Sequence, residues 1–193
     1  MGEGFEHLKQ DLIALEAMAT EMEDYLKSEV LFWPLQHGGL PRLTLGGYLL
    51  RQHRLLALRN LLNMDEQSRL HIAINTFNQC VREKVVRFEQ RAHQELHARL
   101  RQWLEYFNDL QQSKGAAAYF ASSVEIRAII EALIHQLQVA PYRIDPQICQ
   151  ELAQLDSRLA NQWQPDKFVW SVEWEEAYPK EAYWWLYGRP QTK

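Results

Sequence analysis

Glycine and proline are missing from the middle of this chain of 193 residues. After Gly47 the next glycine is Gly115, and after Pro41 the next proline is Pro141. The stretch 48–114 therefore lacks both breakers, which disfavours a β meander and favours helix. Cysteine is scarce too: Cys80 and Cys149 stand alone, with no CxxC pair. That excludes a disulfide scaffold and suits a reducing compartment. Cys80, inside the helical stretch, reads as a small buried apolar residue. No apolar run approaches the roughly 18 residues of a membrane span. No basic region followed by an apolar run opens the chain, so no signal peptide is expected. A soluble, cytoplasmic protein without a membrane partner is the expectation. Catalytic signatures are absent as well: there is no GxSxG, no P-loop and no Gly-rich dinucleotide turn. The reading leans away from an enzyme and calls for no cofactor, although helical active sites often lack linear motifs.

What is present is an ordinary globular composition, 47% hydrophobic and 24% charged, enough for one domain over 1–193 with a real core. The net charge of −4 argues against a general coat for nucleic acid. The charge is uneven, however. Residues 1–41 hold two basic and eight acidic side chains, 42–101 hold eleven and five, and the remainder eight and twelve.

Apolar residues at steps of three and four predict a first helix from Glu3 to Ser28, with Phe5, Leu8, Leu12, Leu15, Met22 and Leu26 on one stripe. Its opposite side, with Glu6, Asp11, Glu16, Glu21 and Glu23, reads as a solvated face. Pro34, Gly38, Gly39 and Pro41 interrupt the chain. Thr44 caps a second, leucine-rich helix reaching Leu62. Gly46-Gly47 at its start could approach an anion, but a plain turn is the simpler reading. Asn63 and Glu66 form a capping box for the next helix. That helix has no sequence reason to stop before Gln112. Its stripe includes Leu70, Phe77, Val81, Phe88, Leu96, Trp103 and Phe107. About 50 residues would span about 75 Å, against about 40 Å for a compact domain. The molecule must be elongated, or the helix must kink, or a partner must cover the overhang. A linker over 113–121 follows. Ser122 and Glu125 suggest a capping box for a helix to Gln138, and Asp145-Pro146 opens another to Gln162. The expected fold is all-α: an elongated antiparallel helical bundle over 1–164, one very long central helix, and a C-terminal strap over 165–193.

The strap is rich in aromatic residues. Phe168, Trp170, Val172 and Trp174 alternate and would share one side of an extended chain. Pro179 could open a short helix ending at Gly188. Buried aromatics contribute large apolar areas and are enriched at interface hot spots. Trp170, Trp174, Tyr183, Trp184 and Trp185 are therefore interface candidates, set against the plainer reading of a lid over the bundle. Lys84, Arg87 and Arg91 lie opposite the apolar stripe of the long helix and are candidates for a polyanion such as nucleic acid. Arg51, Arg54 and Arg59 extend that positive balance. The competing reading is that acidic segments of the same chain neutralise it. His93 and His97, with Glu89 one turn earlier, have a spacing that can bind a transition metal. The set lacks the ligand pattern of a di-iron bundle or zinc protease, and no metal is assigned.

The functional expectation is a non-enzymatic interaction protein, an adaptor or scaffold subunit that self-associates or joins a larger complex. One alternative is a bundle with a metal or small-molecule site, possibly an enzyme. Another is polyanion binding through the basic middle.

Overall fold

A computed structural model describes residues 2–113 and 115–191. Lys114 of the linker, and Thr192 and Lys193 of the strap, lie outside the described residues. The described residues form six α-helices: α1 (Glu3–Lys27), α2 (Leu45–Ala57), α3 (Met64–Glu83), α4 (Val85–Gln112), α5 (Phe120–Leu137) and α6 (Pro146–Ala160). Two short strands, β1 (Trp163–Pro165) and β2 (Gly188–Pro190), flank the strap. The fold is all-α, with α4, of 28 residues, as its long central helix. Among the described residues, no helix is long and apolar enough to cross a membrane.

The helix starts follow their side chains. Thr44 accepts the Gly47 N–H and opens α2. Asn63 and Glu66 complete a reciprocal capping box on α3. Asp145 accepts the Gln147 N–H, with Pro146 in the first turn of α6. Each such cap is worth about 1 kcal/mol. The expected box at Ser122 and Glu125 does not form. The helix begins earlier, at Phe120, and Ser122 Oγ donates to the Tyr119 carbonyl instead. A 3-10 turn, Ala116–Tyr119, occupies the middle of the linker.

The expected helix from Asn63 to Gln112 is interrupted at one residue, Lys84 (φ −129°, ψ 39°). No glycine or proline marks the break. The β-branched pair Val85-Val86 follows it, and such residues lose side-chain freedom in a helix. Tertiary contact supplies the rest. Lys84 Nζ lies 3.2 Å from Glu23 of α1, and Phe77 meets Phe88 edge-on across the break, 6.2 Å between centroids. Two shorter helices can each lie along the core where a single 75 Å rod could not. Helix α2 also stops early, at Ala57, and a 3-10 turn, Arg59–Leu61, completes the segment.

The pairs α1–α2 and α4–α5 run antiparallel. Asp11 of α1 meets Arg54 near the end of α2, and Tyr106 late in α4 meets Phe120 at the start of α5. Helix α3 returns parallel to α1, through Lys9–Glu66, Arg69–Glu16 and Lys84–Glu23. Helix α6 returns parallel to α4: the Asp145 N–H donates to His93 Nε2, and Arg158 lies over the Phe107 ring. One contiguous cluster of buried side chains runs from α1 through α5 and into the strap. The accessible surface is 10547 Å², above the roughly 9,600 Å² of a compact monomer of this mass, as a somewhat elongated bundle requires.

Candidate functional site: an aromatic-walled groove over a charged floor

The strap is a closed loop. Its ends are joined because β1 pairs antiparallel with β2, Trp163 opposite Pro190 and Pro165 opposite Gly188. A Cβ on Gly188 would lie 2.4 Å from the Gln164 carbonyl oxygen, so only glycine allows this approach. Between the strands the chain is not the alternating extended segment expected from Phe168 to Trp174. It bends and enters a 3-10 helix, Val172–Ala177, which leaves Val172 exposed. Pro179 opens no helix reaching Gly188. Turns and a 3-10 segment, Trp184–Leu186, lead into β2. Alternation failed as a guide because the aromatics pack on different neighbours.

Polar bonds fasten the loop to three helices. Trp174 Nε1 donates to the Gly4 carbonyl of α1 at 3.0 Å. Trp170 Nε1 donates to the Ala121 carbonyl of α5 at 2.9 Å. His53 Nε2 of α2 donates to the Ala177 carbonyl at 2.8 Å, and Tyr187 donates to the Tyr178 carbonyl at 2.8 Å. Trp185 is fully buried beneath the Arg127 guanidinium, 4.8 Å from it. Arg127 is in turn clamped bidentately by Asp156 at 3.0 and 2.9 Å.

Between the strap, α1, α2, the start of α5 and the loop at Gly39–Pro41 lies an open groove of about 1290 Å³. Trp170, Trp174, Ile13 and Leu40 supply apolar lining. The floor is charged and largely buried. Asp11 holds two guanidiniums at once, Arg51 Nε at 3.2 Å and Arg54 Nη1 at 2.5 Å. Arg54 Nε donates to the Tyr178 hydroxyl at 3.1 Å, and its guanidinium lies 3.6 Å from the Trp174 ring centroid. Burial opposes the Arg54 charge, but Tyr178 and Asp11 outweigh it and its pKa is raised. Burial pushes the Tyr178 phenol up, so it stays a neutral acceptor for Arg54. The floor is thus fixed by these contacts and keeps a net positive charge, since one carboxylate answers two guanidiniums. Glu125 is different. It is exposed, faces the groove, and has no ion-pair partner among the described residues. A second space of about 310 Å³ borders the same Arg51 and Glu125 and extends to Arg42, just before α2, and to Arg99 of α4.

Of the interface candidates, Trp170 and Trp174 border the groove. Tyr183 and Trp185 are buried within the fold and are not surface groups. Trp184 is half-buried, edge-on to Trp163 at 5.4 Å. The three polyanion candidates do not form a free basic strip. Lys84 pairs with Glu23 at 3.2 Å and Arg87 with Glu29 at 3.3 Å. Arg91 is buried rather than opposite the core: it stacks on Tyr25 and donates to the Ser28 carbonyl. Glu23 of α1 and Glu29 after it therefore answer Lys84 and Arg87, while a carbonyl and a ring hold Arg91.

The acidic side of α1 is not uniformly solvated either. Asp11 is the hub of the groove floor, and buried Glu21 accepts from Trp33 Nε1 at 2.8 Å and the Gln36 N–H at 3.0 Å. His93 is engaged at both nitrogens: Nδ1 donates to the Glu89 carbonyl at 2.9 Å, and Nε2 accepts from Asp145. The Glu89 carboxylate accepts the Arg143 N–H at 2.8 Å. These bonds pin the α5–α6 loop onto α4. His97 stands apart, exposed beside α6. Cys80 is half-buried, and burial raises its thiol pKa.

The Gly46-Gly47 pair proves to lie inside the first turn of α2, and its anion is internal. Glu95 of α4, fully buried, accepts the Gly46 N–H at 2.9 Å. Sequence reasoning missed Asp11, Arg54 and Glu95 as organising charges. The available signal for Arg54 was its place in a leucine-rich helix, one residue before Leu55 and four after Leu50, both of them buried. Compared with protein-family models, curated proteins and solved structures, the chain matches none.

Proposed function

We propose that this chain is a non-enzymatic binding protein, an adaptor or scaffold subunit, and that the groove beneath the strap receives an extended segment of a partner protein. The observation that carries this reading is the groove itself: an open space of about 1290 Å³ lined by Trp170 and Trp174 together with a rigid ion cluster. Small-molecule sites occupy about 300–1,000 Å³ and enclose most of their ligand. A larger open trough suits a length of chain. Half-buried tryptophans over a preorganised floor are the anchors such interfaces use. Their indole N–H groups are already bonded within the fold, so they offer ring faces and edges at little ordering cost. Unpaired Glu125 favours a segment that brings a Lys, an Arg or a free N–H beside its apolar anchor.

Selection from a displayed random-peptide library tests the reading. Peptides that bind the wild type and lose affinity for Ile13→Arg, with a recurring apolar residue next to a basic one, are expected. Recovery of no peptide that discriminates the two proteins would overturn it.

A further inference from the structure

A second groove lies elsewhere, between α4 and α6, with a volume of about 470 Å³. Each wall is one helical stripe. Leu100, Arg101 and Leu104 follow one another at steps of one and three along α4, and Glu151, Leu155 and Arg158 at four and three along α6. His97 extends the α4 stripe by one turn, and because the two helices run parallel, the stripes face each other for about two turns, or about 10 Å. Leu100 and Leu155 form a buried apolar base, and Leu104 remains 40% exposed above it. The charge on the walls is unbalanced. Arg158 is half-buried with its guanidinium 5.3 Å from the Phe107 ring centroid, yet it has no carboxylate within ion-pair distance among the described residues. Arg101 has none either. The single carboxylate present, Glu151, accepts from Gln147 at 3.1 Å. Two of the three buried arginines are answered by acids, Arg54 by Asp11 and Arg127 by Asp156 and Glu131, and the third, Arg91, by the Ser28 carbonyl and the Tyr25 ring. A partly desolvated guanidinium without an anion is costly, and an anion from outside would relieve it.

We infer that the α4–α6 groove binds a small anionic amphiphile, a carboxylate-bearing aliphatic chain, with its head on Arg101 and Arg158 and its chain over Leu100, Leu104 and Leu155. The volume lies within the range of small-ligand sites between helices. The groove's cationic walls and apolar base match an anionic head on a short apolar body, and its two-turn length matches a chain of medium size. This assignment is independent of the partner proposed for the strap groove.

Decanoate below its micellar concentration is the probe, titrated into the full chain by calorimetry, with decyltrimethylammonium as the same chain bearing the opposite charge. Saturable binding of one decanoate is expected, at least about tenfold tighter than the cation. Arg158→Gln and Arg101→Gln should each weaken decanoate about tenfold, since each removes one charge-assisted contact. Both residues are outside the buried ion clusters, and an unchanged circular dichroism spectrum would show that the variants fold. A photoreactive analogue of decanoate should label the peptides containing Leu104 and Gln154. Equal affinity for the two amphiphiles, no binding, unaffected variants, or labelling elsewhere would each overturn the assignment. Binding of an acidic amphipathic peptide without binding of decanoate would do the same, and would make the groove a protein interface.

Discussion

The guanidinium of Arg54 lies 3.6 Å from the ring centroid of Trp174, 120 residues later in the sequence, while its Nη1 contacts Asp11 at 2.5 Å. This stack ties the strap to the middle of the bundle. A desolvated cation–π contact contributes about 2 kcal/mol. Trp174→Ala should therefore lower stability by about 2–3 kcal/mol, including lost packing. Trp174→Phe, which keeps a ring but loses the bond to Gly4, should cost about half as much. Urea denaturation of the three proteins checks the order.

Asp11 answers two arginines and is itself nearly buried. Its removal leaves two desolvated cations without an anion, which costs about 3–5 kcal/mol. Asp11→Ala should show that loss in chemical denaturation. A solvated α1 face, by contrast, would lose under about 0.5 kcal/mol.

Gly46 has no room for a side chain. A Cβ there would lie 2.4 Å from Ile129 Cγ2 and 3.0 Å from Glu95 Oε1. Gly46→Ala should destabilise by about 1–3 kcal/mol through overpacking, even though alanine is the better helix former by about 1 kcal/mol. Gly47→Ala, where the nearest atom is the Thr44 hydroxyl at 3.0 Å, should cost less. Thermal unfolding of the two variants side by side gives the comparison.

His53 makes the strap sensitive to acid. Burial lowers its pKa, and the neighbouring charges of His135 and Arg54 lower it further, against the opposing bond to the Ala177 carbonyl. A histidine with a depressed pKa binds fewer protons folded than unfolded, so stability rises with pH. Its contribution is complete above the unfolded pKa of about 6.5 and is lost as pH falls toward the folded value. Between about pH 7.5 and about pH 5.5 the wild type should lose more stability than His53→Gln, which cannot titrate. Urea midpoints at the two pH values decide it.

Much of the fold was legible because local rules and tertiary packing agreed. The Thr44, Asn63 and Asp145 caps and the stripe Leu8–Leu26 of α1 all form as their residue types require. Lys84 was not legible as a break, since the cause lies in Glu23 and in the Phe77–Phe88 contact, not in a breaker residue. The strap's path was hidden for a similar reason. Its rings answer Gly4, Ala121 and Arg54, residues that periodicity within the strap cannot see. The groove was half legible: Trp170 and Trp174 stood out by composition, whereas Asp11 looked like any other acid on an amphipathic helix.

The most direct test of the strap groove as a binding site is site-specific photo-cross-linking in the native cell. A benzophenone side chain is placed at Ser122, on the groove rim, and in a second protein at Ile72, exposed on α3. The account predicts a discrete protein adduct from position 122 that disappears when Ile13→Arg or Trp174→Ala is added, and no such adduct from position 72. The same adducts from both positions, or none from position 122, would contradict it.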